Sequence, residues 1–192
     1  KFEFSNLFSY GEDNVVDFTK LNGMIGLFAP NASGKSALLD ALCFNLFDMS
    51  SRTYRADNII NKAKNNLHCK VNFEIDGADY FIEKKGKKNL RTGHVKVDID
   101  FWTIDDTGEE ISLNGDQRRT TQNNIKKVIG NYEDFILTSM SSQNNSTVFI
   151  DKTQKERKEL LSQFMGLKIF DTLYQQASDE IKEVNTLLND FK

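Results

Sequence analysis

Ala29-Pro30-Asn31-Ala32-Ser33-Gly34-Lys35-Ser36 is the stretch on which the reading of this chain turns. An apolar run, Met24-Ile25-Gly26-Leu27-Phe28, precedes it and predicts a short buried strand. The segment Ala37-Leu38-Leu39-Asp40-Ala41-Leu42-Cys43-Phe44-Asn45-Leu46-Phe47 follows and predicts a helix. Strand, small-residue loop closing on Gly-Lys-Ser, then helix is the context of a phosphate-binding loop. Backbone N–H groups of the loop and first helical turn lack internal partners, and the helix dipole adds positive charge. A polyphosphate supplies the missing acceptors. Lys35 is then expected at the β- and γ-phosphates and the Ser36 hydroxyl on Mg²⁺. The usual pattern is G-x-x-x-x-G-K-[ST], but Ala29 stands at its first glycine and Ala32 where many such loops carry another. If either position needs a positive φ, alanine costs about 1–2 kcal/mol there.

The chain has 192 residues, a length for one α/β domain or a domain with an appendage. Apolar residues make up 39%, with 15 Phe, enough for a core. The net charge of −3 gives no global attraction to nucleic acid, so any such surface must be local. Cys43 and Cys69 lie far apart in apolar patterns and read as two buried thiols of a reducing cytoplasm. No run approaches the roughly 18 apolar residues of a membrane span. The N-terminal Lys-Phe-Glu-Phe has neither a Met nor a signal pattern, so trimming is expected.

Alternation over Lys1 to Phe4 and Asn14 to Phe18 predicts two strands around the turn residues Gly11-Glu12-Asp13-Asn14. After the helix, Asp48 to Lys64 reads as polar and irregular. Cys69 to Ile75, Tyr80 to Lys84 and Val95 to Phe101 alternate cleanly, with Asp76-Gly77 and Asp105-Asp106-Thr107-Gly108 as turns. This predicts an antiparallel meander with one solvated face. From Thr120 the spacing becomes helical and stops at Gly130; Thr153 to Met165 is helical and stops at Gly166. Phe170, Ala177, Val184 and Phe191 then recur at seven-residue spacing, flanked by Leu173, Tyr174, Ile181, Leu187 and Leu188. The pattern predicts the start of a coiled coil, against an ordinary amphipathic helix, and breaks off mid-repeat as in a fragment.

Other constellations compete with plainer explanations. Phe101-Trp102-Thr103-Ile104-Asp105-Asp106 imitates the acidic strand end of an ATPase, but Thr107-Gly108 makes it a hairpin turn. Leu113-Asn114-Gly115-Asp116-Gln117 imitates an ATPase signature, but its position favours a turn. Gln143 follows an apolar stretch in a polar loop, where its amide can ligate Mg²⁺ and orient water, or simply face solvent. Lys84-Lys85-Gly86-Lys87-Lys88-Asn89-Leu90-Arg91 is read as a hairpin tip whose five cations either touch DNA phosphates or protect a sheet edge. His68 and His94 have no partner at metal-ligand spacing.

Together these residues resemble the N-terminal half of SbcC-type ABC ATPases, the large subunits of double-strand-break repair and recombination nucleases, phage members included. The resemblance runs from Asn6-Leu7-Phe8-Ser9-Tyr10 through Asn31 to Ser36, Leu38-Leu39-Asp40-Ala41 and the hairpin from Val71 to Tyr80. It continues with Ser142-Gln143 as a Q-loop and with Glu156-Arg157-Lys158-Glu159-Leu160-Leu161 and Gly166-Leu167 before the coiled coil. It implies an α/β fold: residues 1–168 as the N-terminal lobe of an ABC-type head with its phosphate loop, β insert and Q-loop, and 169–192 as the start of a coiled coil. It implies ATP and Mg²⁺ as cofactors, with Lys35 and Gln143 catalytic and Ser36 and Gln143 at the metal. Ser9, Asn31, Ala32, Ser33, Gly34, Lys35, Ser36 and Ala37 would hold the nucleotide, with Asn61 and Lys62 near its base or ribose. Lys84, Lys85, Lys87, Lys88 and Arg91 would be the DNA set. The implied partners are the C-terminal half of the same head, a second head closing on ATP, a nuclease subunit and double-stranded DNA, in a cytoplasmic, nucleoid-associated protein without a membrane. Half a head alone is expected to hydrolyse ATP poorly. Phe8 departs from the family, whose cellular members often carry arginine there. Another coiled-coil ATPase of the chromosome-maintenance or RecF/RecN type, and a nucleotide-free scaffold or defence protein with a degenerate loop, are the alternatives.

Overall fold

Strands β1 (Phe2–Ser5), β2 (Asn14–Val16), β3 (Asn66–Ile75), β4 (Ala78–Lys88), β5 (Val95–Ile104) and β6 (Glu110–Ser112) form one antiparallel sheet in the order β2-β1-β3-β4-β5-β6. The computed structural model describes residues 1–105, 107–140, 148–165 and 167–190. Asp76 and Gly77, at φ 53° and 80°, make the tight β3–β4 turn, whose two positive φ values match the twist of the flanking strands. Alternation sends Phe2, Phe4, Cys69, Val71, Ile82, Val97 and Phe101 to one face, where they are buried.

Helix α1 (Lys35–Phe47) contributes Ala41 and Phe44 to that core, α2 (Ala56–Ile59) contributes Ile59 and α3 (Arg118–Ile129) contributes Ile125. Gly130, at φ 81°, ends α3 where the spacing placed its stop. The opposite face of the sheet is mostly polar. It also carries Phe81 stacked on Trp102 at 5.3 Å, with the Lys70 ammonium 4.9 Å from the Trp102 ring centre.

The expected strand at Met24-Ile25-Gly26-Leu27-Phe28 does not form. Residues 24–28 have no regular structure, Met24 is 100% exposed and Phe28 94% exposed. A strand needs a neighbouring edge for its N–H and C=O groups, and no described strand pairs with this run. Likewise the second predicted strand stops at Val16, and Phe18–Lys20 turn into a 3₁₀-helix whose start Asp17 caps through Thr19 N–H.

The chain divides into two compact units, Lys1–Tyr132 and Glu133–Lys192. Helix α4 (Tyr132–Thr138) begins at that division. The second unit holds α5 (Val148–Asp151), α6 (Gln154–Phe164) and α7 (Lys168–Asp190). Thr153 and Glu156 form a capping box at the start of α6. Glu156 Oε2 accepts from the Thr153 N–H at 2.8 Å and hydroxyl at 2.7 Å, and its own N–H reaches Thr153 Oγ1 at 3.4 Å. On α7 the apolar stripe stands open: Phe170 is 65%, Tyr174 76% and Ile181 60% exposed. Phe191 and Gly166 lie outside the described residues.

Candidate functional site

The loop before α1 is built on left-handed turns. Ala32 has φ 63° and Gly34 φ 97°, while Ala29 has no positive φ. The first missing glycine therefore costs nothing in backbone terms, whereas Ala32 occupies the region an L residue disfavours. Ser33 N–H donates to Pro30 O at 3.3 Å, closing the turn. Gly34 is the N-cap of α1 and has no side-chain cap, and the first turn of α1 carries no acid. The Lys35 ammonium folds back over the loop and donates to Ala29 O at 2.6 Å and Pro30 O at 2.8 Å. A cation is thus stored beside an uncapped helix N-terminus, the electrostatic setting of an anion site.

Other expected site residues fall into place unequally. Asn31, Ala32 and Ser33 form the loop, Ser36 lies in the first turn of α1, and Ala37 is buried beneath at 3% exposure. Ser9 is brought to the loop from the β1 side: a Cβ on Gly34 would meet Ser9 Oγ at 2.9 Å. The Asn61 side chain is already engaged, its Nδ2 donating to Tyr10 O at 2.9 Å and its Oδ1 accepting from Ala63 N–H at 2.9 Å. It braces the 6–10 turn. Lys62 is exposed. Gln143 lies outside the described residues. Tyr10 was not singled out by sequence reasoning for the site, yet its hydroxyl donates to Gly34 O at 3.1 Å. Its only sequence signal was its place in Asn6-Leu7-Phe8-Ser9-Tyr10.

The basic cluster is corrected in two ways. It is not a hairpin tip: β4 runs through Lys88, and the reversal is made by residues 89–94. Its first member, Lys84, is 0% exposed and faces the core. The Lys84 ammonium donates to Phe44 O at 2.7 Å, pairs with Asp48 Oδ1 at 3.0 Å and sits 4.9 Å from the Phe44 ring centre. Arg118 completes the cluster with two 2.6 Å bonds to Asp48. Burial pushes the Asp48 carboxyl up, but the charges of Lys84 and Arg118 outweigh it and hold the group below its ordinary range. Alternation leaves Lys85 and Lys87 exposed on the other face, with Arg91 in the reversal. Lys87 stands directly opposite Lys96, a like-charge pair, while Lys85 reaches Glu83 at 3.0 Å.

The imitations read as turns in the structure as well. Asp105 Oδ1 accepts from the N–H groups of Thr107 and Glu109, each at 2.9 Å, which makes it the residue that closes the β5–β6 turn. Asn114 Oδ1 takes the Phe101 N–H at 2.8 Å, and Gly115 N–H donates to Thr121 Oγ1 at 3.0 Å. Burial pushes the Cys43 thiol up to about 12 and the Cys69 thiol to about 11, so neither offers a thiolate near neutrality. No His, Cys, Asp or Glu cluster among the described residues has the make-up of a metal site, and no described helix is long and apolar enough to cross a membrane.

The family described as AAA domain matches residues 1–191. An uncharacterized protein of Acanthamoeba polyphaga mimivirus is 40% identical over 187 residues, which are 94% of this chain and 14% of that protein. The SbcC subunit of the SbcCD nuclease from Clostridium acetobutylicum is 25% identical over 195 residues, 96% of this chain and 16% of that protein. The chain thus spans only about a seventh to a sixth of the length of these relatives. A chain from a structural study of ATP-driven dimerization and DNA-stimulated activation of SMC ATPases superposes with a TM-score of 0.55 at 20% identity, covering 84% of this chain and 96% of that one. That likeness concerns the fold.

Proposed function

The chain belongs to the AAA-domain family, and on that footing we propose that it is the ATP-binding N-terminal lobe of a SbcC-like ATPase of DNA double-strand-break repair and recombination. One observation carries the reading. The loop before α1 gathers an uncapped helix N-terminus, a left-handed Gly34 and the Lys35 ammonium at one point. These residues suit a magnesium triphosphate. A Cβ at Gly34 would collide with Ser9 Oγ, and no acid in the first turn of α1 opposes an anion.

In this reading Lys35 leaves the carbonyls of Ala29 and Pro30 to neutralise the terminal phosphates, and the Ser36 hydroxyl holds the metal. When bound, the magnesium ion offsets phosphate charge and presents the γ-phosphate for transfer. Gln143 would orient the attacking water. Charge stabilisation in phosphoryl transfer draws on groups this lobe does not contain, namely the acidic strand end and the signature loop. Those belong to the C-terminal half of the same head and to a second head that closes on ATP. Closure would control a partner nuclease on double-stranded DNA, in the cytoplasm of the cell.

The test is reconstitution. The 192-residue chain alone is expected to show little ATP turnover, and adding the C-terminal half of the head to restore it. Lys35→Ala in the reconstituted head should abolish that turnover. Robust Lys35-dependent hydrolysis by the chain alone would refute the division of labour. A reconstituted head that binds nucleotide without ever hydrolysing it would refute the ATPase assignment.

A further inference from the structure

The 6–10 turn leans on the phosphate loop through one side chain. Phe8 N–H donates to Ile59 O at 2.6 Å, Asn61 N–H donates to Asn6 O at 2.8 Å, and Asn61 Nδ2 donates to Tyr10 O at 2.9 Å. The Tyr10 ring packs edge-on against Phe4, with centres 5.0 Å apart, and Phe4 is a buried core residue. Tyr10 is therefore fixed at its backbone and at its ring. Its hydroxyl then donates to Gly34 O at 3.1 Å, the same carbonyl that accepts the Leu38 N–H at 3.2 Å.

That carbonyl shares a peptide plane with the Lys35 N–H. A trans peptide points its C=O and N–H in opposite directions, so holding one aims the other. Gly34 is the position where this matters. At φ 97° with no Cβ, it has the widest backbone freedom in the loop. A half-buried, uncapped glycine at a helix start would otherwise let this plane rock.

We propose that Tyr10 is a positioning residue for triphosphate binding: by holding the Gly34 carbonyl, its hydroxyl aims the Lys35 N–H into the phosphate loop. The inference rests on the nucleotide-binding reading above. It assigns Tyr10 no contact with the nucleotide and no part in chemistry.

Tyr10→Phe keeps the ring against Phe4 and removes only the hydroxyl. Three quantities are read in the parent, Tyr10→Phe and Lys35→Ala: the Kd for Mg-ATP, the melting temperature, and hydrogen exchange of the Lys35 amide without nucleotide. Tyr10→Phe is expected to weaken Mg-ATP about five- to tenfold, the value of one hydrogen bond. The Lys35 amide should exchange faster while the melting temperature and exchange elsewhere stay as in the parent. Parent-like affinity in Tyr10→Phe, with binding lost in Lys35→Ala, would overturn the role of Tyr10 and leave the nucleotide reading intact. A parent that binds no nucleotide would overturn that reading, and Lys35 amide exchange would still decide the brace: unchanged exchange sinks it. Loss of affinity with faster exchange throughout the chain would mean general destabilisation and would also overturn the proposal.

Discussion

Ala32 carries the backbone strain that the loop sequence foreshadowed. Its φ of 63° lies where a Cβ crowds the following carbonyl. Ala32→Gly removes that crowding but adds freedom to the unfolded chain, so the net gain should be about 0.5–1 kcal/mol, read as a higher denaturant midpoint at constant slope. A lower midpoint would show that the alanine methyl makes packing interactions that outweigh the strain. Lys84 makes the converse case. Its side chain is buried at 0% exposure and serves a helix end, with Phe44 O and Asp48 as acceptors. Lys84→Met leaves the Asp48 carboxylate with Arg118 alone and should destabilise by about 3 kcal/mol, as breaking one side of a buried ion pair does. The same cluster sets an acid limb. The Asp48 carboxyl titrates below its ordinary value of 3.8 in the folded chain, so its contribution is full above that pH and is lost as pH falls below it. Asp48→Asn should therefore flatten the fall in stability below about pH 4, measured by urea unfolding at several pH values.

Elements formed by alternation were legible in the chain before any coordinates. Cys69 to Ile75 and Val95 to Phe101 read as strands because a sheet with one covered face imposes period two, and β3 and β5 contain them. The lysine run misled because charge masked the same period. Lys84 and Gly86 take the inner face while Lys85 and Lys87 take the outer, so β4 continues where charge argued for a tip. Nothing local distinguishes a lysine that snorkels to a helix carbonyl from its solvated neighbour. The cations that alternation leaves on the outer face and in the reversal are Lys85, Lys87 and Arg91, with Lys96 opposite Lys87, whereas Lys88 is half-buried and pairs with the buried Val95. The Lys96 ammonium meets Asp98 Oδ1 at 3.1 Å, which offsets its repulsion with Lys87 across the strand pair. If that face meets duplex DNA, reversing Lys85, Lys87 and Arg91 to Glu should weaken binding and flatten its log–log salt slope by about 1 for each phosphate no longer neutralised. An unchanged slope would return these side chains to ordinary solvent exposure.

At the scale of the whole molecule, one strand of the expected architecture is absent although its sequence is right. Met24-Ile25-Gly26-Leu27-Phe28 has the composition of a buried strand, yet Leu27 is 59% and Phe28 94% exposed. Periodicity names what a segment is suited to, but a strand exists only beside a partner edge. The apolar stripe of α7, with Phe170 and Tyr174 exposed, has the same character. In the reading proposed above, these are the surfaces that another part of the head would cover. The loop from Ala29 to Ser36 needs no such partner: its turns, its left-handed residues and its lysine are set by the chain itself. Calorimetric titration of Mg-ATP into the chain and into Lys35→Ala tests that self-sufficiency most directly. The parent should bind one nucleotide saturably, and Lys35→Ala should bind about ten- to hundredfold more weakly, the value of charge-assisted bonds from the ammonium. No binding by the parent, or equal affinity in the two proteins, would contradict it.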